Sequence, residues 1–339
     1  MKSKILGIKR TIALMLSVVM ILSLAGLFTG CGEKDGVQEE NLTESVKVAT
    51  LNGPTGMGMV KLMDMKDKYE ITSFQSPTDI NGKLISGEVD VAAVPSNLAA
   101  VLYNKTEGNI QAISPITLGV LYILGNDADV KQVSDLKGKT IVASGKGGTP
   151  EFVLQKILEN SGLKINEDVK IQWLANHTEV NGKLLSEEGT IAMIPEPFVS
   201  VAMAANNPKV SVIFDVNTLW KEATNEELPM GVLVARKEFA EERESDLKIF
   251  LKDYEKSVNF VNNNPEEAAP LIVEHGFIGK EEIAKAAIPN CKIVLYGSSE
   301  ENMEKGQKIL ETFYNTLFEM NPKSIGGKLP GNDLYYGKQ

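Results

Sequence analysis

The sequence predicts an α/β protein of two lobes joined by two chain crossovers. The first observation behind this is a repeat. Residues 78–95 (TDINGKLISGEVDVAAVP) return at 178–195 (TEVNGKLLSEEGTIAMIP), offset by 100 with no gap and identical at nine of 18 positions. Internal similarity of this kind marks a duplicated structural unit. The second is what precedes each copy: an apolar strand pattern, a glycine-rich turn and a helical pattern. Each half therefore runs strand, loop, helix, strand, helix, strand. The third is that strands and helices alternate, which favours a parallel sheet with helices on both faces.

The elements follow in order. Lys2, Lys4, Lys9 and Arg10 form a basic start without an acid, an apolar run covers Thr11 to Phe28, and Gly30 precedes Cys31. A basic start, an apolar core and a small residue before a cut describe a secretory signal over residues 1–30. The cysteine directly after it resembles a bacterial lipobox, so Cys31 is the expected lipid attachment site. An uncleaved membrane anchor is the alternative, since the apolar run is about long enough to span a bilayer. Either way the body of the chain lies outside the cytoplasm. Residues 31–45 are polar and charged and read as a flexible tether.

Lobe 1 is expected over 46–120. Val46–Leu51 alternates as a strand, Asn52–Gly58 is the first glycine loop, and Met59–Asp67 reads as a helix. Lobe 2 is expected over 121–220, with the strand Thr140–Ala143, the loop Ser144–Pro150 and the helix Glu151–Glu159. Ile116–Leu124 is an apolar strand leading from one half to the other, and Gly231–Ala235 leads back. The crossovers are expected near 120–127 and 217–231. Helical patterns at 240–262, 265–275, 280–288 and 300–319 complete a return segment, 221–320, expected to pack on lobe 1. Residues 321–339 read as an extended tail.

Composition narrows the function. The net charge is −10; residues 1–30 carry four basic groups and no acid, so the remainder carries −14. An acidic chain is a poor candidate for nucleic-acid binding. With Cys31 taken by lipid, Cys291 is alone, which leaves no intrachain disulfide and no cysteine-rich zinc site. His177 and His275 are the only histidines and neither sits in metal-ligand spacing. Both read as surface or structural residues. No nucleophile–base–orienter arrangement is visible, so no catalysis and no cofactor are expected.

Ligands of parallel sheets bind beyond the carboxyl ends of the strands. By the repeat's symmetry four segments meet there: Asn52–Gly58, Pro95–Asn97, Ser144–Thr149 and Pro195–Pro197. Glycine permits close backbone approach, and a following helix presents free N–H groups. The candidate ligand residues are Asn52, Gly53, Thr55, Gly56, Ser96, Asn97, Ser144, Gly147, Gly148, Thr149 and Glu196. Ordinary strand-to-helix turns and helix caps are the competing explanation for the two loops taken singly; their pairing favours a site. Glu196 between two prolines is a rigid acceptor for a ligand amine or ring N–H. Met57 and Met59 read as core or rim rather than as ligand residues. Arg236 and Arg243 are the only arginines after residue 30 and lie beyond the repeats, which argues against an arginine clamp on an anion. Lys146 is the one basic residue inside a site loop. Tyr122, Phe152, Trp173 and Phe198 are the nearest aromatic residues.

With these residues in hand, the chain resembles the substrate-binding lipoproteins of bacterial ABC transporters, and within them the group that binds nitrate, sulfonates, taurine and thiamine pyrimidine precursors. The matching segments are Gly87–Pro95 (GEVDVAAVP), Asp135–Ile141 (DLKGKTI), the Gly145–Thr149 loop and Glu196-Pro197-Phe198; Pro195 stands where the family often has Trp. The resemblance implies a type II periplasmic-binding fold with the C-terminal helices on the first lobe. It also implies that a membrane permease and a cytoplasmic ATPase take over a small-molecule cargo; the chain itself is expected to be a monomer, held to the membrane by its N-terminal lipid. Enzymes of menaquinone and thiamine-precursor synthesis resemble the same fold and are the alternative, as is a ligand sensor without transport.

Overall fold

The computed structural model describes residues 41–338 apart from Ser298. The signal segment, Cys31 and most of the tether lie outside the described residues. The first half folds as β1 (Val46–Leu51), two short helical turns α1 (Pro54–Met57) and α2 (Val60–Met63), β2 (Tyr69–Phe74), α3 (Pro77–Ser86), β3 (Val91–Pro95), α4 (Ser96–Lys105) and β4 (Ile110–Leu118). The second runs β5 (Leu121–Asn126), β6 (Thr140–Ala143), α5 (Thr149–Asn160), β7 (Lys170–Trp173), α6 (His177–Ser186), β8 (Ile191–Pro195), α7 (Phe198–Ala204), β9 (Val210–Asp215) and α8 (Val216–Thr224). Then come β10 (Pro229–Arg236) and the helices α9 (Lys237–Glu242), α10 (Glu244–Asn263), α11 (Pro265–Glu274), α12 (Glu281–Ala287) and α13 (Glu300–Met320).

The strands make two five-stranded sheets with matching orders, β2-β1-β3-β10-β4 and β7-β6-β8-β5-β9. In each the fourth strand runs antiparallel to its neighbours: β10 against β3 and β4, β5 against β8 and β9. Those two strands are the crossovers, so each lobe borrows one strand from the chain that has just left the other. The inner strands β3 and β8 are buried at four of their five residues, as continuous apolar runs covered on both faces should be.

Local chemistry sets the repeated elements. Ser76 caps α3 by accepting from the Thr78 N–H, Pro77 opens the helix, and Gly87 ends it at φ 80°. Asn176 caps α6 by accepting from the Glu179 N–H. The two copies thus become the same helix–strand unit, with Asn176 for Ser76 at the cap, His177 for Pro77 at the first helical residue, and an extended Glu187 where Gly87 is left-handed.

Several boundaries differ from the sequence reading. The apolar stretch 116–124 is not one strand: it divides at Gly119 and Val120 between β4 of lobe 1 and β5 of lobe 2. Gly119 takes φ 55°, and a Cβ there would stand 2.3 Å from the Asn217 side chain, so both backbone and space demand glycine. The return crossing is confined to residues 225–228, beside the first: the Gly119 N–H donates to Leu228 O and the Leu228 N–H to Asn217 Oδ1. The helix expected over 59–67 is only the single turn Val60–Met63, and the first glycine loop holds a turn of its own, Pro54–Met57, with Met59 outside helical geometry between them (ψ 1°). The tail is not extended. Its turns fold onto lobe 1, where the Tyr103 hydroxyl donates to Asp333 and the Tyr336 N–H to Ala112 O. This covers the edge strand β4, all nine of whose residues are buried, whereas the other edges β2, β7 and β9 are largely open. Residues 43–45, read as tether, are tied to the body: Thr43 donates its N–H and hydroxyl to Asp246, and Arg243 donates to Glu44 O.

Three apolar clusters hold the fold. One fills the face of sheet 1 toward α9–α12, where Met57, Met59, Phe250 and Tyr254 are buried. One fills the outer face of lobe 2 around Leu184 and Ile194. The largest passes from Ala92 and Val94 of lobe 1 through Phe313 and Trp220, whose rings lie 5.7 Å apart, to Ile141 and Phe152 of lobe 2. The C-terminal helices therefore do more than join lobe 1: α13 packs on α8, and α12 packs on α7 of lobe 2.

Candidate functional site between the lobes

The carboxyl ends of β1, β2 and β3 in one lobe and of β6, β7 and β8 in the other face the hinge, because Gly231 pairs with Pro95 and Leu121 with Pro195 on either side of it. The loops that follow these ends are the candidate site.

The two lobes touch there. The Thr149 hydroxyl, at the start of α5, donates to Asn97 Oδ1, at the start of α4, at 3.0 Å. Both residues are buried, as are Ser96 and Ser144. Asn97 also donates to Ser324 O, so the tail braces it. The Ser96 carbonyl accepts from the Tyr314 hydroxyl, while its own buried hydroxyl has no hydrogen-bond partner among the described residues. A buried hydroxyl without a partner is costly. It is the group in this cluster most in need of a ligand or a water.

On the lobe 2 side Ser144 Oγ lies 2.6 Å from His177 Nδ1. Burial lowers the imidazole to a pKa of about 4, and its ring stacks at an angle on Phe198, 5.4 Å away. His177 is therefore neutral at pH 7, with one nitrogen accepting and one donating. Sequence reasoning set this histidine aside. The signal available was its position, opening the second repeat where Pro77 opens the first. Among the described residues no carboxylate orients the imidazole, so the pair lacks the third member of a catalytic triad.

The glycine loop of lobe 2 is arranged by its own residues. The Gly147 N–H donates to the Glu151 carboxylate, the Gly148 N–H donates to Gly145 O, and Gly148 caps α5 through its backbone alone. Glu151 thus occupies the place where an anion would meet this helix end. Lys146 is exposed on the rim. On the lobe 1 side Gly53 has φ 96°, Thr55 donates to Leu51 O, and Asn52 is half-buried at the end of β1. Gly56 answers to packing rather than to the cleft: a Cβ there would lie 2.1 Å from the Phe277 ring.

Glu196 is placed differently from the rest. Its carboxylate, 1% exposed, accepts from the Ser200 N–H and hydroxyl and from Asn290 Nδ2, all at 3.1 Å. Burial raises its pKa against the pull of these bonds. It fastens α7 to the residues after α12 and is satisfied without a ligand. No group of three or more potential metal ligands occurs among the described residues.

The sequence profile of the family described as Menaquinone biosynthesis matches residues 57–317. The chain belongs to that family. Its fold is the periplasmic-binding fold. A crystal structure of an ABC transporter from Parabacteroides distasonis superposes with a TM-score of 0.73 at 22% identity, over 87% of this chain and 99% of that one. The periplasmic aliphatic sulphonate binding protein SsuA from Escherichia coli gives 0.66 at 17%, over 85% and 97%. A ligand-binding component of an ABC-type import system from Staphylococcus aureus, with zinc bound, gives 0.63 at 17%, over 87% and 99%. No curated protein matches the sequence. Family membership and fold together place the chain among two-lobed α/β proteins.

Proposed function

We propose that the protein is an extracytoplasmic solute-binding component of an ABC importer, held to the membrane through a lipid on Cys31. It captures a small molecule between its lobes and passes it to a permease and ATPase. The observation that carries this reading is the Thr149–Asn97 bond. It joins the mouths of two lobes whose backbones connect beside it only at residues 119–120 and 225–228. Ligand contacts from both sides favour such a closed form by hinge motion. Ser96, Asn97, Ser144, Thr149 and His177 are the contacts, with Asn52 at the rim; sulfonate, nitrate, taurine and thiamine-pyrimidine types are the ligand classes to test. Thermal shift of the purified chain against that panel should show one stabiliser, by linkage. Stabilisation by none of them would reject these ligand classes.

A second reading is an enzyme of the menaquinone-synthesis kind. The family match and the Ser144–His177 pair favour it. The two readings part on location and turnover. A membrane-held chain that returns its ligand unchanged supports capture, while a soluble cytoplasmic chain that converts it supports the enzyme.

A further inference from the structure

The amino end of α5 looks across the cleft. Its first residue, Thr149, reaches Asn97 of lobe 1, and the glycine loop before it follows the carboxyl end of β6. A helix start in that place is ordinarily open to an anion. Here its donors are already taken. The Gly147 N–H donates to the Glu151 carboxylate at 2.6 Å, the Gly148 N–H to Gly145 O and the Glu151 N–H to Gly148 O, while Pro150 has no N–H to give. The loop of lobe 1 is closed in the same way. The Asn52 N–H donates to Phe74 O, the Gly56 and Met57 N–H groups both donate to Gly53 O, and Pro54 has none.

Side-chain charge offers an anion no better partner. In the loops at the strand ends, 52–58, 74–77, 95–97, 144–151, 174–177 and 195–197, Lys146 is the one lysine or arginine, and it is exposed on the rim. Arg236 and Arg243 sit at the other end of sheet 1, against Asp90, which precedes β3. At the hinge Lys292 pairs with Asp215 and Lys221 with Glu227. The groups at the interlobe contact are the Ser96, Ser144 and Thr149 hydroxyls, the Asn97 amide and the His177 imidazole, which burial keeps neutral at pH 7. Of these the buried Ser96 hydroxyl is left without a partner among the described residues. An uncharged molecule with hydrogen-bonding groups can answer it. A sulfonate, nitrate or phosphate would lose its water beside Glu151 with no buried cation to compensate. We infer that Glu151 is a specificity-determining residue: its carboxylate stands in for an anion at the head of α5 and restricts the cleft to uncharged, hydrogen-bonding ligands. This rests on the capture reading above and narrows its ligand classes.

The test is isothermal titration of the full chain at pH 7 with an uncharged hydroxymethyl aminopyrimidine, the phosphate ester of the same compound, methanesulfonate and nitrate. The wild type should bind the uncharged pyrimidine at one equivalent and each anion at least about tenfold more weakly. Glu151→Ala frees the Gly147 N–H and removes the charge. It should raise the affinity for methanesulfonate and the phosphate ester, relative to the uncharged pyrimidine, about five- to thirtyfold. Glu151→Gln keeps a hydrogen-bonding side chain without the charge and should fall between, which keeps the inference testable if the alanine variant misfolds. An anion bound by the wild type as tightly as the uncharged pyrimidine overturns the role of Glu151 and leaves capture standing. So does a gain of anion affinity in neither variant. Binding of no probe by the wild type and both variants rejects capture of these ligand classes, and the inference with it.

Discussion

Replacing Thr149 by valine tests the interlobe contact with the least disturbance. Valine keeps the shape of threonine and removes only the hydroxyl that donates to Asn97 Oδ1 at 3.0 Å. The lost bond is worth about 1 kcal/mol net, and Asn97 Oδ1, on a residue 8% exposed, is left without its donor. Once the lobes part, water reaches both groups, so the cost falls on the closed form alone. A penalty of about 1–2 kcal/mol lowers the closed-to-open ratio roughly 5- to 30-fold. Small-angle scattering of the unliganded variant should show a larger radius of gyration than the wild type, and ligand affinity should weaken in step with the closed fraction. A double-mutant cycle with Asn97→Ala should return a coupling of about 1 kcal/mol. An unchanged radius together with unchanged affinity would refute the view that this bond helps hold the lobes shut.

Three further outcomes follow from the same geometry. Gly119→Ala combines a left-handed backbone with a collision against Asn217 and should cost about 2–4 kcal/mol in urea unfolding; a loss below about 1 kcal/mol would mean the hinge relaxes freely. His177 has its pKa lowered from 6.5 to about 4 by burial, so the unfolded chain takes up the proton more readily. Its contribution is fully present above about pH 6.5 and is lost as pH falls toward 4, by at most about 3 kcal/mol. Unfolding of wild type and His177→Gln at pH 7 and pH 5 should show the smaller pH difference in the variant, and equal differences would remove His177 as the cause. Ending the chain at Pro330 strips the cover from β4 and leaves the Tyr103 hydroxyl without Asp333, so size-exclusion chromatography should show self-association; a monomeric, equally stable truncation would contradict the capping role given to the tail.

Much of the architecture was legible because it is local. The strands Val46–Leu51 and Thr140–Ala143 and both repeat units appear where their patterns lie, since periodicity and capping act within a few residues. The candidate site was legible in part. Ser96, Asn97, Ser144 and Thr149 could be named because symmetry assigns loops to strand ends. Which atoms meet could not. Glu196, framed by prolines, looked like a free acceptor, yet Asn290, 94 residues away, takes up its Oε1. Gly56 looked like a ligand loop glycine, yet the Phe277 ring from the C-terminal segment fills the space above it.

The sequence by itself determined that the chain is duplicated, that its inner strands β3 and β8 are continuous apolar runs, and that two glycine loops stand at equivalent places. These follow from spacing and side-chain type, which every residue carries with it. Only the tertiary structure decided that each sheet borrows a strand from the far side of the hinge, that the tail closes the β4 edge, and that His177 sits neutral against Ser144. Each of those depends on a partner tens to hundreds of residues away, and on the burial that partner imposes. Neither distance nor desolvation is written in a local pattern.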